Sequence, residues 1–316
     1  MSSKVKVRGD APREFVKTFD RLCGSRARWN IWSDFLHLSA YTISNAVDMV
    51  HRDKREKDYM MIRKGYSEQE MLGFSELFAI TVTALEENPN QDFLGHIYMG
   101  LELGNKNTGQ FFTPYTVAKL TAEMSVNIEE IKNKHFAIAN DCCIGGGAML
   151  IGLANALREN DINYQQKVLF VAQDIDQTCA CMAYIQLSLL GCPGYIVVGD
   201  SLCSPLTGDP LYAPMEREIY ITPMYLSAEW EFRRYYHRIL SALGVKHTET
   251  RRESDSQSDN IETCSGEENV SEPVTAHETH EETHACVSET EVNASSSVGN
   301  GINVPTKETI QLTFFD

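Results

Sequence analysis

Three consecutive glycines, Gly145-Gly146-Gly147, stand directly between a short apolar run and a longer apolar segment of helical spacing. The run, residues 135–140, leads straight into Asp141-Cys142-Cys143-Ile144 and then the glycines. A chain that leaves a strand through glycine turns tightly and brings its backbone against a ligand that any Cβ would exclude. The pattern therefore predicts a strand–turn–helix unit with a nucleotide-like cofactor at the turn. A glycine turn kept only for packing is the alternative.

The residues after the turn repeat the unit. Short β-branched runs at 168–173, 195–198 and 218–222 alternate with longer amphipathic stretches, and a helix comes next over 227–243 before Gly244. Such alternation is the signature of a parallel sheet covered by helices. The second run ends at Gln173-Asp174-Ile175-Asp176 and the third at Val198-Gly199-Asp200-Ser201-Leu202. A carboxylate at the second strand end is where a nucleotide fold accepts ribose hydroxyls, which makes Asp174 the candidate and leaves Asp176 as a helix N-cap. Asp141, Asp174 and Asp200 are expected to converge on one crevice at the carboxyl ends of the strands.

Upstream, Phe15, Phe19, Leu22, Trp29, Trp32, Phe35, Leu36, Ala40 and Ile43 recur mostly at three and four, and residues 67–84 and 93–103 keep that period around a break at Asn88-Pro89-Asn90. Residues 1–104 thus read as an α-helical N-terminal subdomain and 105–245 as the α/β domain. From Lys246 the composition turns to Glu, Ser, Thr and Asn. About −11 of the formal charge of −16 falls there, leaving the body near −5. Residues 246–316 are expected to be a disordered acidic tail, because they cannot bury enough surface to offset chain entropy.

This balance shows no bulk basic face of the kind that grips DNA unaided. Arg21, Arg26 and Arg28, and the residues 51–64, form small basic clusters that read as solvated helix faces. The nine cysteines do not fall at zinc-ligand spacing, and reduced thiols with inert packing at Cys142 and Cys143 are the simplest account. His280-Glu281-Glu282-Thr283-His284 is a literal H-E-x-x-H. No apolar helical pattern flanks it, so no metal site is assigned. No apolar run reaches the roughly eighteen residues of a spanning helix, and Lys4, Lys6 and Arg8 precede no signal-peptide core, so a cytoplasmic protein is expected.

One segment is more specific than the rest: Gly109-Gln110-Phe111-Phe112-Thr113-Pro114. Together with residues 141–148, Asp174 and residues 199–202, it resembles the N-6 adenine DNA methylases, especially the modification subunits of type I restriction systems and their mobile-element relatives. Their D-P-x-C-G-S-G-G aligns without gaps on residues 141–148, matching Asp141, Gly145 and Gly147; Cys142, Ile144, Gly146 and Ala148 depart from it. Their acidic second-strand residue matches Asp174, and their G-D-x-L matches Gly199, Asp200, Ser201 and Leu202.

The resemblance covers roughly residues 93–225 and implies a Rossmann-like class I S-adenosylmethionine-dependent methyltransferase fold with a short parallel sheet. By it, Gln110, Phe111, Phe112, Thr113, Pro114, Asp141, Gly145 and Gly147 hold the methionine end of S-adenosyl-L-methionine, Asp174 the ribose and Asp200 the adenine. Thr113 and Pro114 also read as the N-cap and first turn of a helix over 115–124.

The resemblance implies methyl transfer to adenine N6 in DNA, for which the family uses N-P-P-F or D-P-P-Y to accept from the target amine while an aromatic stacks on the flipped base. No such tetrapeptide is present. Thr222-Pro223-Met224-Tyr225 comes after a strand and about twenty residues past Asp200, and so Thr222, Pro223 and Tyr225 are the catalytic candidates. Asp209-Pro210-Leu211-Tyr212 is the weaker equivalent, lacking a strand before it. A catalytically inactive cofactor-binding partner or regulatory subunit is the alternative.

A sheet ending at residues 218–222 would leave an uncovered edge, which points to a homodimer or a partner such as a specificity subunit. Finally, Gln311-Leu312-Thr313-Phe314-Phe315-Asp316 resembles the peptide by which bacterial proteins dock on the replication sliding clamp, with Gln311, Leu312, Phe314 and Phe315 as anchors. An adaptor that docks on the clamp is a further reading.

Overall fold

The computed structural model describes residues 10–24, 26–103 and 112–243, together with the backbone of 309–313. Gln110 and Phe111, the H-E-x-x-H, the greater part of the acidic tail, and Phe314 and Phe315 lie outside the described residues.

Local sequence sets the helical part. Helix α1 (Ala11–Cys23) starts at Asp10, which accepts from Arg13 N, with Pro12 in the first turn. Helices α2 (Arg28–Asn45) and α3 (Arg52–Arg63) come next. Helix α4 (Glu68–Glu87) opens on a reciprocal capping box between Ser67 and Glu70 and stops at Asn88, before Pro89. Asp92 caps α5 (Phe93–Gly100) by accepting from Gly95 N. Phe15 meets the edges of Trp32, Phe35 and Phe93 at ring-centroid distances of 6.1, 5.4 and 5.9 Å, which locks the first, second and fifth helices together.

Helices α6 (Tyr115–Ser125) and α7 (Ile128–Asn133) lead into β1 (Phe136–Asp141), then α8 (Ala148–Glu159), α9 (Tyr164–Lys167), β2 (Val168–Asp174), α10 (Gln177–Leu189) and β3 (Gly194–Val198). After them come β4 (Ile219–Ile221), a 3-10 turn at Pro223–Leu226, α11 (Ala228–Ala242) and β5 (Thr309–Thr313). Residues 148–157 of α8 are all buried, as expected of a helix apolar on every side. Asp176 caps α10 through Thr178 N, as its position after the second strand suggests.

The sheet order is β4-β3-β2-β1-β5. Strands β1, β2, β3 and β5 are parallel; β1 to β4 follow one another to one side of the sheet, and β5 lies on the other side of β1. Side chains alternate between two cores. Ala137, Ala139, Phe170, Ala172 and Ile196 join the core that runs on through the N-terminal helices. Ile138, Leu169, Val171, Tyr195 and Val197 face Leu211, Tyr225 and Trp230 on the other side. The helical and sheet parts thus form one compact unit, an α/β fold with a short, mostly parallel sheet.

Three features differ from the sequence reading. Strand β4 runs antiparallel to β3, pairing Tyr195 with Ile221 and Val197 with Ile219. Its outer edge is not bare: Ile219 O accepts from the Arg55 guanidinium, and Ile221 O accepts from Tyr184 Oη at 3.1 Å. Side chains therefore occupy carbonyls that a further strand would need. Residues 309–313, placed by composition in the tail, form β5 on the far side of β1, in register from Phe136–Thr309 to Asn140–Thr313.

Candidate functional site

The β1–α8 turn takes the conformation the glycines predict. Gly145 and Gly147 have φ of +53° and +94°, where L side chains are strained. A Cβ on Gly145 would also stand 3.1 Å from the Phe112 ring. Neighbouring groups hold the turn: Ile144 N donates to Gln173 O (3.1 Å), Gly145 N to Asp174 Oδ2 (2.8 Å) and Cys143 N to Asp141 Oδ1 (3.2 Å). The first intrahelical bond of α8 is Ile151 N to Gly147 O, so the N–H groups of Ala148, Met149 and Leu150 have no acceptor within the helix.

Asp141 and Asp174 end adjacent parallel strands, and both are buried. Burial pushes the Asp141 carboxyl up to about 6, partly opposed by the Cys143 N–H and reinforced by the charge of Asp174. Burial likewise holds Asp174 above the ordinary carboxylate range, opposed by the N–H groups of Asp176 and Gly145. Two shifted carboxyls side by side are the kind of pair that functional clefts concentrate. Cys143, pushed up to about 12 by burial and by Asp141, stays a thiol.

Asp200 lies on the same side of the sheet, two residues beyond β3, but is half-exposed and turned on its own loop. Its Oδ1 accepts from Leu202 N (2.8 Å) and Cys203 N (3.1 Å), and these bonds hold its carboxyl below the usual range. The Phe112 ring packs tilted against Tyr98, centroids 4.8 Å apart, and borders the turn. Pro114, not Thr113, is the N-cap of α6, and it offers no side-chain hydrogen bond; Thr113 lies one residue outside and is exposed. The expected Thr113 cap fails because the helix begins one residue later, at Tyr115.

Thr222, Pro223 and Tyr225 are not brought to this edge. Because β4 is antiparallel, its end meets the start of β3, about 13 Å along that strand from the carboxyl edge. Thr222 is buried there, with Oγ1 donating to Cys192 O (2.7 Å) and accepting from Gly194 N (2.9 Å). Tyr225 Oη donates to Leu211 O (2.8 Å) and accepts from Ala213 N (3.0 Å), while Arg234 covers its ring at 4.1 Å. Both hydroxyls are spent on the fold. The other tetrapeptide, Asp209 to Tyr212, lies over the second sheet face: Pro210 O accepts from Tyr195 Oη (2.9 Å), and Tyr212 Oη donates to Arg234 O (3.0 Å). Pro210 and Tyr212 line a cavity of about 50 Å³ with Asn140 and Val171, room for a few waters and not for a base.

Several members of the basic clusters pair with acidic side chains. Arg21 pairs with Glu76, Arg26 with Glu70, Arg28 with Asp20, Lys54 with Glu218 and Arg55 with Asp48. Among the described residues no group of three or more His, Cys, Asp or Glu side chains is placed to hold a metal, and no helix is long and apolar enough to cross a membrane.

Two residues at the turn escaped the sequence reading. Gln186, fully buried on α10, donates through Nε2 to Gly146 O (2.9 Å) and to Asp92 Oδ1 (2.7 Å), and its Oε1 accepts from Leu94 N (3.0 Å). A glutamine inside the apolar stretch 179–190 was the available signal. Asp92 belongs to none of the motifs and is the N-cap of α5.

Comparison with known proteins agrees with the turn. Residues 89–236 match the family model described as N-6 DNA Methylase. No curated protein matches the chain. Among solved structures, it is similar to the methyltransferase subunit of a type I restriction-modification system from Streptococcus thermophilus, with 17% identity and a TM-score of 0.36 over 62% of this chain and 41% of that one. It is also similar to a Listeria monocytogenes protein assigned to the class I S-adenosylmethionine-dependent methyltransferases, with 15% identity and a TM-score of 0.34 over 64% of this chain and 57% of that one. The chain spans less than two thirds of the length of either. The part of the chain that matches the N-6 DNA methylase family model, residues 89–236, is the part that carries the glycine turn and the paired strand-end carboxylates.

Proposed function

We propose that the chain binds S-adenosylmethionine in the crevice at the carboxyl ends of β1 and β2 and serves adenine-N6 methylation of DNA in the cytoplasm. The glycine turn carries this reading: two left-handed glycines open a helix beside two buried carboxyls. The residues present fit the cofactor. Each Asp174 oxygen accepts one N–H and keeps acceptor capacity for ribose hydroxyls. The free N–H groups at the start of α8 suit a carboxylate. Phe112 walls the turn and Asp141 accepts from Cys143 N within it, while Thr113 and Pro114 follow Phe112 in the chain and Asp200 follows β3. When bound, the cofactor supplies an electrophilic methyl group.

Calorimetric titration of S-adenosylmethionine into the whole chain tests this, with Asp174→Ala and Asp141→Ala alongside. Micromolar binding lost in both variants is the expected result; absence of binding to the unaltered chain removes the reading.

A second reading, a cofactor-binding subunit that does not itself turn over, is favoured by the position of Thr222 at the opposite edge. Adenine-accepting groups and DNA contacts would then come from a partner, such as a specificity subunit or a second copy. Radiolabel transfer to adenine-rich DNA separates the two: turnover by the chain alone, insensitive to Thr222→Val, would exclude the non-catalytic reading. Docking of residues 311–316 on a sliding clamp would require Gln311 and Leu312 to leave β5. Equal pull-down with and without this segment would end that idea.

A further inference from the structure

Asp92 belongs to none of the strand-end motifs, yet it reaches the glycine turn. It is a buried carboxylate whose Oδ1 accepts from Gly95 N (2.9 Å) and Gln186 Nε2 (2.7 Å). Gln186 spends the same nitrogen on Gly146 O, so cap, α10 and turn are one hydrogen-bonded unit. Oδ2 has no hydrogen-bond partner among the described residues, and no lysine or arginine among them pairs with Asp92. Burial holds the carboxyl above its ordinary range. An N-cap needs only one acceptor oxygen, which Ser or Asn supplies without charge, whereas a buried carboxylate eased only by the two Oδ1 donors and by nearby His96 is costly to keep.

Gly146 gives the second observation. It is not among the positive-φ glycines, so its backbone does not demand glycine. A Cβ there would stand 3.3 Å from Asp92 Oδ2 and 3.4 Å from Met182 Cε. Glycine at this position keeps side-chain atoms off one side of the oxygen, whose other side lies against Gly95, where a Cβ would stand 2.0 Å from it.

We propose that Asp92 Oδ2 is the anionic anchor for the α-ammonium group of the cofactor's methionine part, with Gly146 left bare to admit it. This rests on the cofactor reading above. The carboxylate then has a cationic partner, and the cofactor's two ends are gripped by different elements: the amine by the α5 cap and the ribose by the end of β2.

The test is calorimetry on the full chain with two ligands, S-adenosylmethionine and 5′-methylthioadenosine, which keeps the adenosine and thioether but lacks the amino acid. Asp92→Asn preserves the Oδ1 acceptor for Gly95 and Gln186 and removes only the charge. It is expected to weaken S-adenosylmethionine by about tenfold or more, the scale of one charge-assisted contact, while leaving methylthioadenosine unchanged. Gly146→Ala, with Asp92 intact, is expected to show the same ligand-selective loss. Equal weakening of both ligands would make Asp92 a fold-holding residue only and overturn the proposal, as would no weakening at all. If the unaltered chain binds neither ligand, the cofactor reading itself fails. Binding of both ligands with an unselective Asp92→Asn defect sinks the anchor alone.

Discussion

The two edges of the parallel sheet, where its strands end and where they begin, treat their polar groups in opposite ways. At the carboxyl edge, Asp141 and Asp174 are buried with their carboxyls shifted upward and acceptor capacity unspent. At the amino edge, Thr222 and Tyr225 are equally buried, but their hydroxyls close bonds to backbone groups. The first arrangement stores electrostatic cost that a ligand can relieve; the second has nothing left to offer. Burial alone therefore does not mark a site. Unspent valence does.

The largest expected effect that would sharpen this contrast is on the β4 corner. Arg55→Ala leaves Asp48 buried without its guanidinium and uncovers Ile219 O. Urea unfolding is expected to show a loss of about 3–5 kcal/mol, and light scattering a gain in self-association as the edge is freed. A loss below ~1 kcal/mol would mean that the corner is not held as described.

Next comes Thr222→Val, expected to cost about 1–3 kcal/mol by orphaning Gly194 N while leaving S-adenosylmethionine affinity unchanged. Asp174→Ala should do the reverse, abolishing affinity at modest stability cost. An exchange of these phenotypes would break the comparison.

Asp141→Asn tests the stored cost directly. A folded-state value near 6, above the ordinary carboxyl value of 3.8, means the folded chain holds the proton more tightly. That contribution is complete below about pH 4 and is lost as pH rises through about 6. The asparagine variant should therefore flatten the stability profile between these limits and be more stable than the unaltered chain at pH 7, by about 1–3 kcal/mol. Denaturant midpoints across this range check it; parallel profiles would refute it. The smallest effect is Tyr184→Phe, about 0.5–1.5 kcal/mol for the bond to Ile221 O, read from the thermal midpoint.

Much of the site was legible because it is local. The turn at Gly145 and Gly147, the strand ends at Asp141 and Asp174, and the Asp176 cap each depend on a few consecutive residues. Asp92 and Gln186 were not legible as partners of the turn. Asp92 lies 54 residues before Gly146 in the chain and meets it only through Gln186, a bond that exists once α5 packs on α10. The place of Thr222 was not legible for a related reason. A short apolar strand looks the same whichever way it runs, so the spacing after Asp200 pointed to the carboxyl edge, whereas the antiparallel β4 puts Thr222 at the start of β3.

The sequence by itself determined the strand–turn–helix unit and the helices of the N-terminal part, because periodicity, caps and glycine conformations act over a handful of residues. Only the tertiary structure decided the direction of β4, the capping of its edge by Arg55 and Tyr184, the pairing of 309–313 with β1, and the approach of Asp92 to the turn. These are contacts between distant segments, set by how whole elements bury their apolar faces and satisfy their backbone groups, and no short window of residues encodes them.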